Sequence, residues 1–122
     1  MRKEHKLKAS IVIPVLNEEK FIENCIESII KNNDDIENME ILIIDGGSTD
    51  NTVEIVNSIS LKHNFVKLLH NPNKITPSAL NIAIKQSSGE FIVRLDAHAE
   101  YSQNYVNKSI KILETTDNNV AN

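Results

Sequence analysis

Asp96-Ala97-His98 stands where the apolar run Phe91-Ile92-Val93-Arg94-Leu95 ends. Along an extended chain residues i and i+2 share a face, so the carboxylate and the imidazole point the same way. These two donor types can together hold a divalent cation. Such a cation would neutralise a diphosphate. Two more polar clusters follow apolar runs: Pro14-Val15-Leu16-Asn17-Glu18-Glu19 and Asp45-Gly46-Gly47-Ser48-Thr49-Asp50. Asp45 can accept hydrogen bonds from a base or a ribose. Gly46 and Gly47 let a ligand come close to the backbone. Each cluster also has a plainer reading. Asn17, Glu18 and Glu19 suit a helix cap with acidic residues in its first turn. Asp45 suits a turn, residues 48–51 suit a helix start, and an isolated Asp-x-His is usually a surface pair. Arg94, unusual on an apolar strand, either pairs with Asp96 or a nearby Glu or faces a ligand.

The elements around these residues alternate. Residues 9–15 are β-branched and apolar and read as a buried strand. Asn17 then reads as the cap of a helix whose Ile22, Cys25, Ile26, Ile29 and Ile30 recur at helical spacing. Residues 40–45 form a second short strand, and Val53, Val56 and Ile59 give the next helix its buried stripe. Residues 65–69 are a third strand. Thr76-Pro77 resembles an N-cap followed by proline at the first helical position, and that helix is expected to stop at Gly89. The fourth strand leads to Asp96, and residues 104–113 read as a last helix. Buried strands alternating with helices imply a mainly parallel sheet covered by helices on both faces. Parallel strands present their C-terminal ends at one edge, where open α/β sheets bind ligands. The three polar clusters therefore converge.

Composition narrows the classes. The chain has 122 residues, a formal net charge of -4 and 40% hydrophobic residues, enough for one domain with a real core. An acidic balance argues against nucleic acid as a partner. The single Cys25 excludes an internal disulfide and fits a reducing, cytoplasmic setting. No apolar run approaches the ~18 residues of a membrane span. Neither a phosphate-cradling Gly-x-x-x-x-Gly-Lys nor a Gly-x-Gly-x-x-Gly follows the first strand, which removes most support for P-loop and dinucleotide-binding readings. The polar stretch at residues 114–119 closes no domain, so the chain is expected to be the N-terminal part of a longer one.

The motifs, in order, resemble family-2 glycosyltransferases. Ser10-Ile11-Val12-Ile13-Pro14-Val15-Leu16-Asn17-Glu18-Glu19 is similar to that family's opening. Ile43-Ile44-Asp45-Gly46-Gly47-Ser48-Thr49-Asp50-Asn51-Thr52 is similar to its second motif, with Gly46 where a second Asp is common. Residues 79–84 and 89–101 resemble the approach to its Asp-x-Asp motif, here Asp96-Ala97-His98. The resemblance runs from about Lys8 to Leu113, and the Asp-Ala-His variant resembles a bacterial exopolysaccharide subgroup of the succinoglycan type.

That resemblance implies a GT-A fold, cut off after the fourth strand-helix unit, that binds a nucleotide-diphosphate sugar, commonly UDP-linked. Carried over by position, Pro14, Leu16, Asn17 and Glu18 line the nucleoside pocket. Asp45, with Gly46 beside it, approaches the base, and Lys74 lies near the nucleotide. Asp96 contacts ribose or metal, and His98 takes a metal-ligand position for Mn²⁺ or Mg²⁺. The carboxylate base of inverting members and the saccharide or lipid-linked acceptor site are expected beyond Asn122, leaving this chain the donor half, inactive alone. The full-length protein is expected in the cytoplasm, associated peripherally with the inner membrane face. A nucleotidyltransferase is the nearest alternative, but residues 17–20 lack its Gly-rich basic loop. A receiver-like binding module fits less well, because the first strand runs into Pro14 instead of an acidic pair.

Overall fold

The computed structural model describes residues 7–72, 76–116 and 118–121. Five strands form one parallel sheet: β1 (Leu7–Val15), β2 (Met39–Asp45), β3 (Val66–His70), β4 (Gly89–Arg94) and β5 (Val120–Ala121). Their order is β3-β2-β1-β4-β5, so the direction of strand addition reverses between β1 and β4. The helices are α1 (Ile22–Lys31), α2 (Thr52–Lys62), α3 (Thr76–Gln86) and α4 (Tyr105–Thr116), with a 3-10 turn at Ile36–Asn38 before β2.

Alternation along the strands splits the core between two faces. Ala9, Ile11, Ile13 and Val15 of β1 pack with Ile22, Ile26 and Ile29 of α1, Val56 of α2 and Val106 and Ile110 of α4. Val12, Leu42, Ile44 and Ile92 pack on the other face with Ala79 and Ala83 of α3. Helices thus cover both faces, in the α/β arrangement that buried strands imply. β2 is buried along its whole length, which explains why its sequence does not alternate. Among the described residues no helix is long and apolar enough to cross a membrane.

Three local expectations are corrected. Asn17 is not a helix cap: it adopts a left-handed φ of 53°, and α1 begins only at Ile22, after a turn in which the Phe21 and Ile22 amides donate to the Glu18 carbonyl. Glu18 and Glu19 therefore precede the helix instead of opening it. Gly89 does not end α3, which stops at Gln86; it opens β4. A Cβ there would lie 2.4 Å from the Ala9 carbon and Ser10 nitrogen of β1, so the strands can pair this closely only with glycine. The chain also does not dissolve after α4. Asn119 donates from its side chain to the Glu90 carbonyl, and Val120 and Ala121 pair with Ile92 and Val93 as β5.

Candidate functional site

The loops after β1, β2 and β4 meet at the C-terminal edge, flanking the reversal between β1 and β4. This is where ligand crevices form in open α/β sheets. Pro14 sits in β1 opposite Ile44, and Leu16 is half exposed at the strand's end.

Asn17 and its neighbours tie the first two loops together. Its Oδ1 accepts from the amides of Thr49 at 2.8 Å and Asp50 at 3.3 Å, while its own amide donates to Ser48 Oγ at 2.9 Å. The Glu18 amide donates to Thr52 Oγ1 at 2.8 Å, and that hydroxyl donates to Asp50 Oδ1 at 2.5 Å. Asp50 also accepts from the Glu19 and Thr52 amides. These bonds outweigh the desolvation of Asp50 and hold its carboxyl below the usual range. The left-handed backbone that asparagine tolerates is what turns Oδ1 toward the second loop.

Asp45 is buried, and both its oxygens are engaged. They accept from the Gly47 amide at 3.0 Å, the Ser48 amide at 3.2 Å and Ser48 Oγ at 2.6 Å. The structure therefore places Asp45 as the organiser of the second loop, and Gly47 takes the positive φ of 100° that the turn requires. Gly46 is bound to the end of β1 through its amide, 2.9 Å from the Val15 carbonyl.

Across the reversal, Asp96 and His98 come together, but not by strand alternation: β4 ends at Arg94, and a turn closed by the Ala99 amide on the Asp96 carbonyl at 3.2 Å brings them side by side. Asp96 Oδ1 accepts from the His98 amide at 2.8 Å and lies 3.5 Å from its Nδ1. His98 Nε2 lies 3.2 Å from Glu18 Oε1, so the imidazole bridges the first and third loops. Burial pushes the Glu18 carboxyl up, against the lowering pull of His98 and with help from Asp96 and Asp50. Asp96 stays largely exposed, with 72% of its side chain accessible.

Sequence reasoning missed the supports of this corner. Phe21, at the mouth, packs on the His98 ring with centroids 4.7 Å apart. Tyr101 Oη accepts the Asp96 amide at 2.7 Å, and Tyr101 is held in turn by Ser28 Oγ and the Asn32 side chain of α1. The Cys25 thiol, pushed up to about 12 by burial and then by Asp96, Glu100 and Glu18, donates to the Asp96 carbonyl at 3.4 Å. The Ser48-x-Asp50-x-Thr52 spacing was the available signal for the second loop; the aromatic supports are contacts between distant segments. Lys74 lies outside the described residues.

The donor types at this corner, two carboxylates and an imidazole, suit a divalent cation. Their arrangement does not make a complete cage: among the described residues no group of three or more such side chains is poised around a common point. Both ring nitrogens of His98 face carboxylates, so an entering cation would take the place of one of those contacts. By donor type Asp96 and His98 are compatible with a divalent cation, but the described residues supply no third ligand beside them.

Comparison with known proteins supplies the class. Residues 10–122 match the Glycosyl transferase family 2 profile. The chain belongs to this family. The dolichyl N-acetyl-alpha-D-glucosaminyl phosphate 3-beta-D-2,3-diacetamido-2,3-dideoxy-beta-D-glucuronosyltransferase of Methanococcus voltae is 38% identical over 104 residues, covering 84% of this chain and 32% of that protein. The succinoglycan biosynthesis protein ExoA of Rhizobium meliloti is 35% identical over 103 residues, covering 83% and 31%. The chain thus spans about a third of the length of these relatives. Among solved structures, the mannosyltransferase PcManGT of Pyrobaculum calidifontis, in complex with GDP-Man and Mn²⁺, superposes with a TM-score of 0.80 at 24% identity, covering 88% of this chain and 32% of that one. S. aureus TarS 1-349 in complex with UDP-GlcNAc gives 0.75 at 25% identity, covering 89% and 32%. The GT-A fold expected from the motifs is the fold of this family-2 chain.

Proposed function

We propose that this chain is the donor-binding part of a glycosyltransferase. The whole protein would pass a sugar from a nucleotide diphosphate, most simply UDP, to a saccharide or lipid-linked acceptor in cell-surface polysaccharide synthesis, with inversion at the anomeric carbon. The observation that carries this reading is the convergence of the β1, β2 and β4 loops at the reversal of strand order, the second loop tied to Asn17 and Glu18, and Glu18 meeting His98. Relatives lend it direction: one acts on a dolichyl phosphate-linked sugar, one serves succinoglycan biosynthesis, and two similar structures carry UDP-GlcNAc or GDP-Man with Mn²⁺.

In this reading Pro14, Leu16 and the Asn17–Glu18 turn form one wall of the nucleoside pocket. Asp45 acts through the loop it organises, presenting the backbone of Gly46 and its neighbours to the base. Lys74 would supply a positive charge near the nucleotide. Asp96 and His98 would hold a divalent ion that neutralises the diphosphate as the leaving group departs. Imidazole in place of a second carboxylate favours Mn²⁺ over Mg²⁺ and requires the ring to be neutral when it ligates. Peripheral attachment of the whole protein to the cytoplasmic membrane face belongs to the same proposal.

Calorimetric titration with UDP, GDP and CDP, with and without Mn²⁺, tests it. The expected result is Mn²⁺-dependent binding of one of them, UDP first, weakened at least tenfold in Asp96→Ala, since a charge-assisted ligand contact is worth roughly 1.5–3 kcal/mol. Absence of binding under every condition would remove the donor-site reading.

A further inference from the structure

Arg94 is the last residue of β4 and one of two arginines in the sequence. It lies opposite Val12 of β1, and the following amide, Leu95, donates to the Val12 carbonyl at 2.9 Å. Val12 and Ile92 belong to the small core beneath α3, so alternation puts Arg94 on the same side of the sheet, at the end nearest the crevice. Here α3 contributes the short side chains of Ala79 and Ala83.

The described residues leave the guanidinium incompletely satisfied. Its Nε is fully buried and has no hydrogen-bond partner among the described residues. Neither Asp96, two residues on, nor any described Glu forms an ion pair with it, although Glu18, Asp50 and Asp96 all lie at this edge. A buried donor on a charged group left without an acceptor is costly, and such groups in native folds call for an explanation. Arginine is the side chain whose planar fork matches a phosphate with two parallel hydrogen bonds. Beside Glu18, Asp50 and Asp96, a diphosphate needs cationic groups to offset the carboxylates.

We propose that Arg94 is an anion-binding residue of the donor site, completing its hydrogen bonding on a phosphate of the bound nucleotide from the α3 side of the crevice. This rests on the donor-site reading and adds a contact to it. It predicts a division of labour: Asp96 and His98 act on the diphosphate through a cation, and Arg94 acts on it directly.

The test compares UDP with uridine, by calorimetry and ligand-observed NMR, on the wild-type chain, Arg94→Met and Arg94→Lys, in EDTA and in Mn²⁺. The proposal expects Arg94→Met to lose tenfold or more in UDP affinity in both media while uridine binding is unchanged, with Arg94→Lys intermediate. It also expects the unfolding midpoint of ligand-free Arg94→Met to be equal to or above that of wild type, because an unpaired buried donor has been removed. Equal UDP affinity in wild type and Arg94→Met overturns the role of Arg94 and leaves the donor site standing. Equal losses for UDP and uridine, or a midpoint lowered in both variants, make the guanidinium structural and likewise overturn it. A wild-type chain that binds neither ligand overturns the donor-site reading itself, and this proposal with it.

Discussion

Asn17 shows how one backbone angle commits a residue. At φ 53° its side chain leaves the crevice and is spent on the Thr49 and Asp50 amides. Its contribution to a donor pocket is then the shape of the turn that carries Glu18 to His98. Replacement separates the two parts of that role. Asn17→Gly keeps the left-handed turn and loses the Oδ1 bonds, for a cost of about 1 kcal/mol. Asn17→Ala loses the bonds and strains the backbone as well, for about 2–3 kcal/mol. Asn17→Asp keeps an acceptor and the conformation and stays nearest to wild type. Urea unfolding of the three variants measures the order, and an alanine variant as stable as the glycine one would show that the turn is not strained. The sequence placed Asn17, Glu18, Asp45, Asp96 and His98 in one neighbourhood because each follows an apolar run. It did not show that Asp45 turns inward on its own loop and Asn17 onto the neighbouring one, since that depends on φ values and on Thr49 and Asp50 being brought up to the first loop.

Strands and helices were legible where a pattern repeats within one segment. Ile22, Cys25, Ile26 and Ile29 form the buried stripe of α1 that their spacing implies. The ends of elements were less so, because they are decided by contacts with other strands. Gly89 is the clearest case: as a sequence signal it reads as a helix stop, yet its place is set by the backbone of β1. Beside it, Glu40 is fully buried at the start of β2 and accepts from Ser10 Oγ at 2.6 Å, the Ser88 amide at 2.7 Å and Lys67 Nζ at 3.3 Å. Ser10 Oγ in turn accepts the Gly89 amide at 2.8 Å. This network anchors the entry to β4 at the edge opposite the crevice, and so fixes the register that brings Arg94 and Asp96 to their positions. Gly89→Ala forces backbone apart at β1, a change of the overpacking kind that costs about 1–3 kcal/mol. For a chain of 122 residues that is a fall in melting temperature of roughly 4 °C for each kcal/mol. Circular dichroism melts check it; an unchanged midpoint would mean that β1 and β4 can separate without cost. If register is the link to function, the same variant also weakens nucleotide binding without touching the crevice.

At the scale of the molecule the question is what a family-2 chain spanning about a third of its relatives' length can do. Transfer with inversion needs a carboxylate free to take the acceptor's proton, held within hydrogen-bond reach of the reacting hydroxyl. The carboxylates at this edge are committed elsewhere. Asp45 and Asp50 accept backbone and hydroxyl donors, Glu18 faces His98, and Asp96 Oδ1 takes the His98 amide. In the proposed reading donor binding asks only for the three loops with Asp96 and His98, all carried on one sheet with its own two-sided core. Binding and transfer should therefore separate: the isolated chain retains UDP or GDP in Mn²⁺ and gives no glycosylated product. Following the sugar anomeric signals of UDP-GlcNAc and GDP-Man by NMR, with a set of saccharide acceptors, tests both halves at once. Line broadening on addition of the chain with no new glycosidic signal is the expected result. A new glycosidic signal would place a base among the residues present here, with Glu18, whose carboxyl burial pushes up, as the first to substitute.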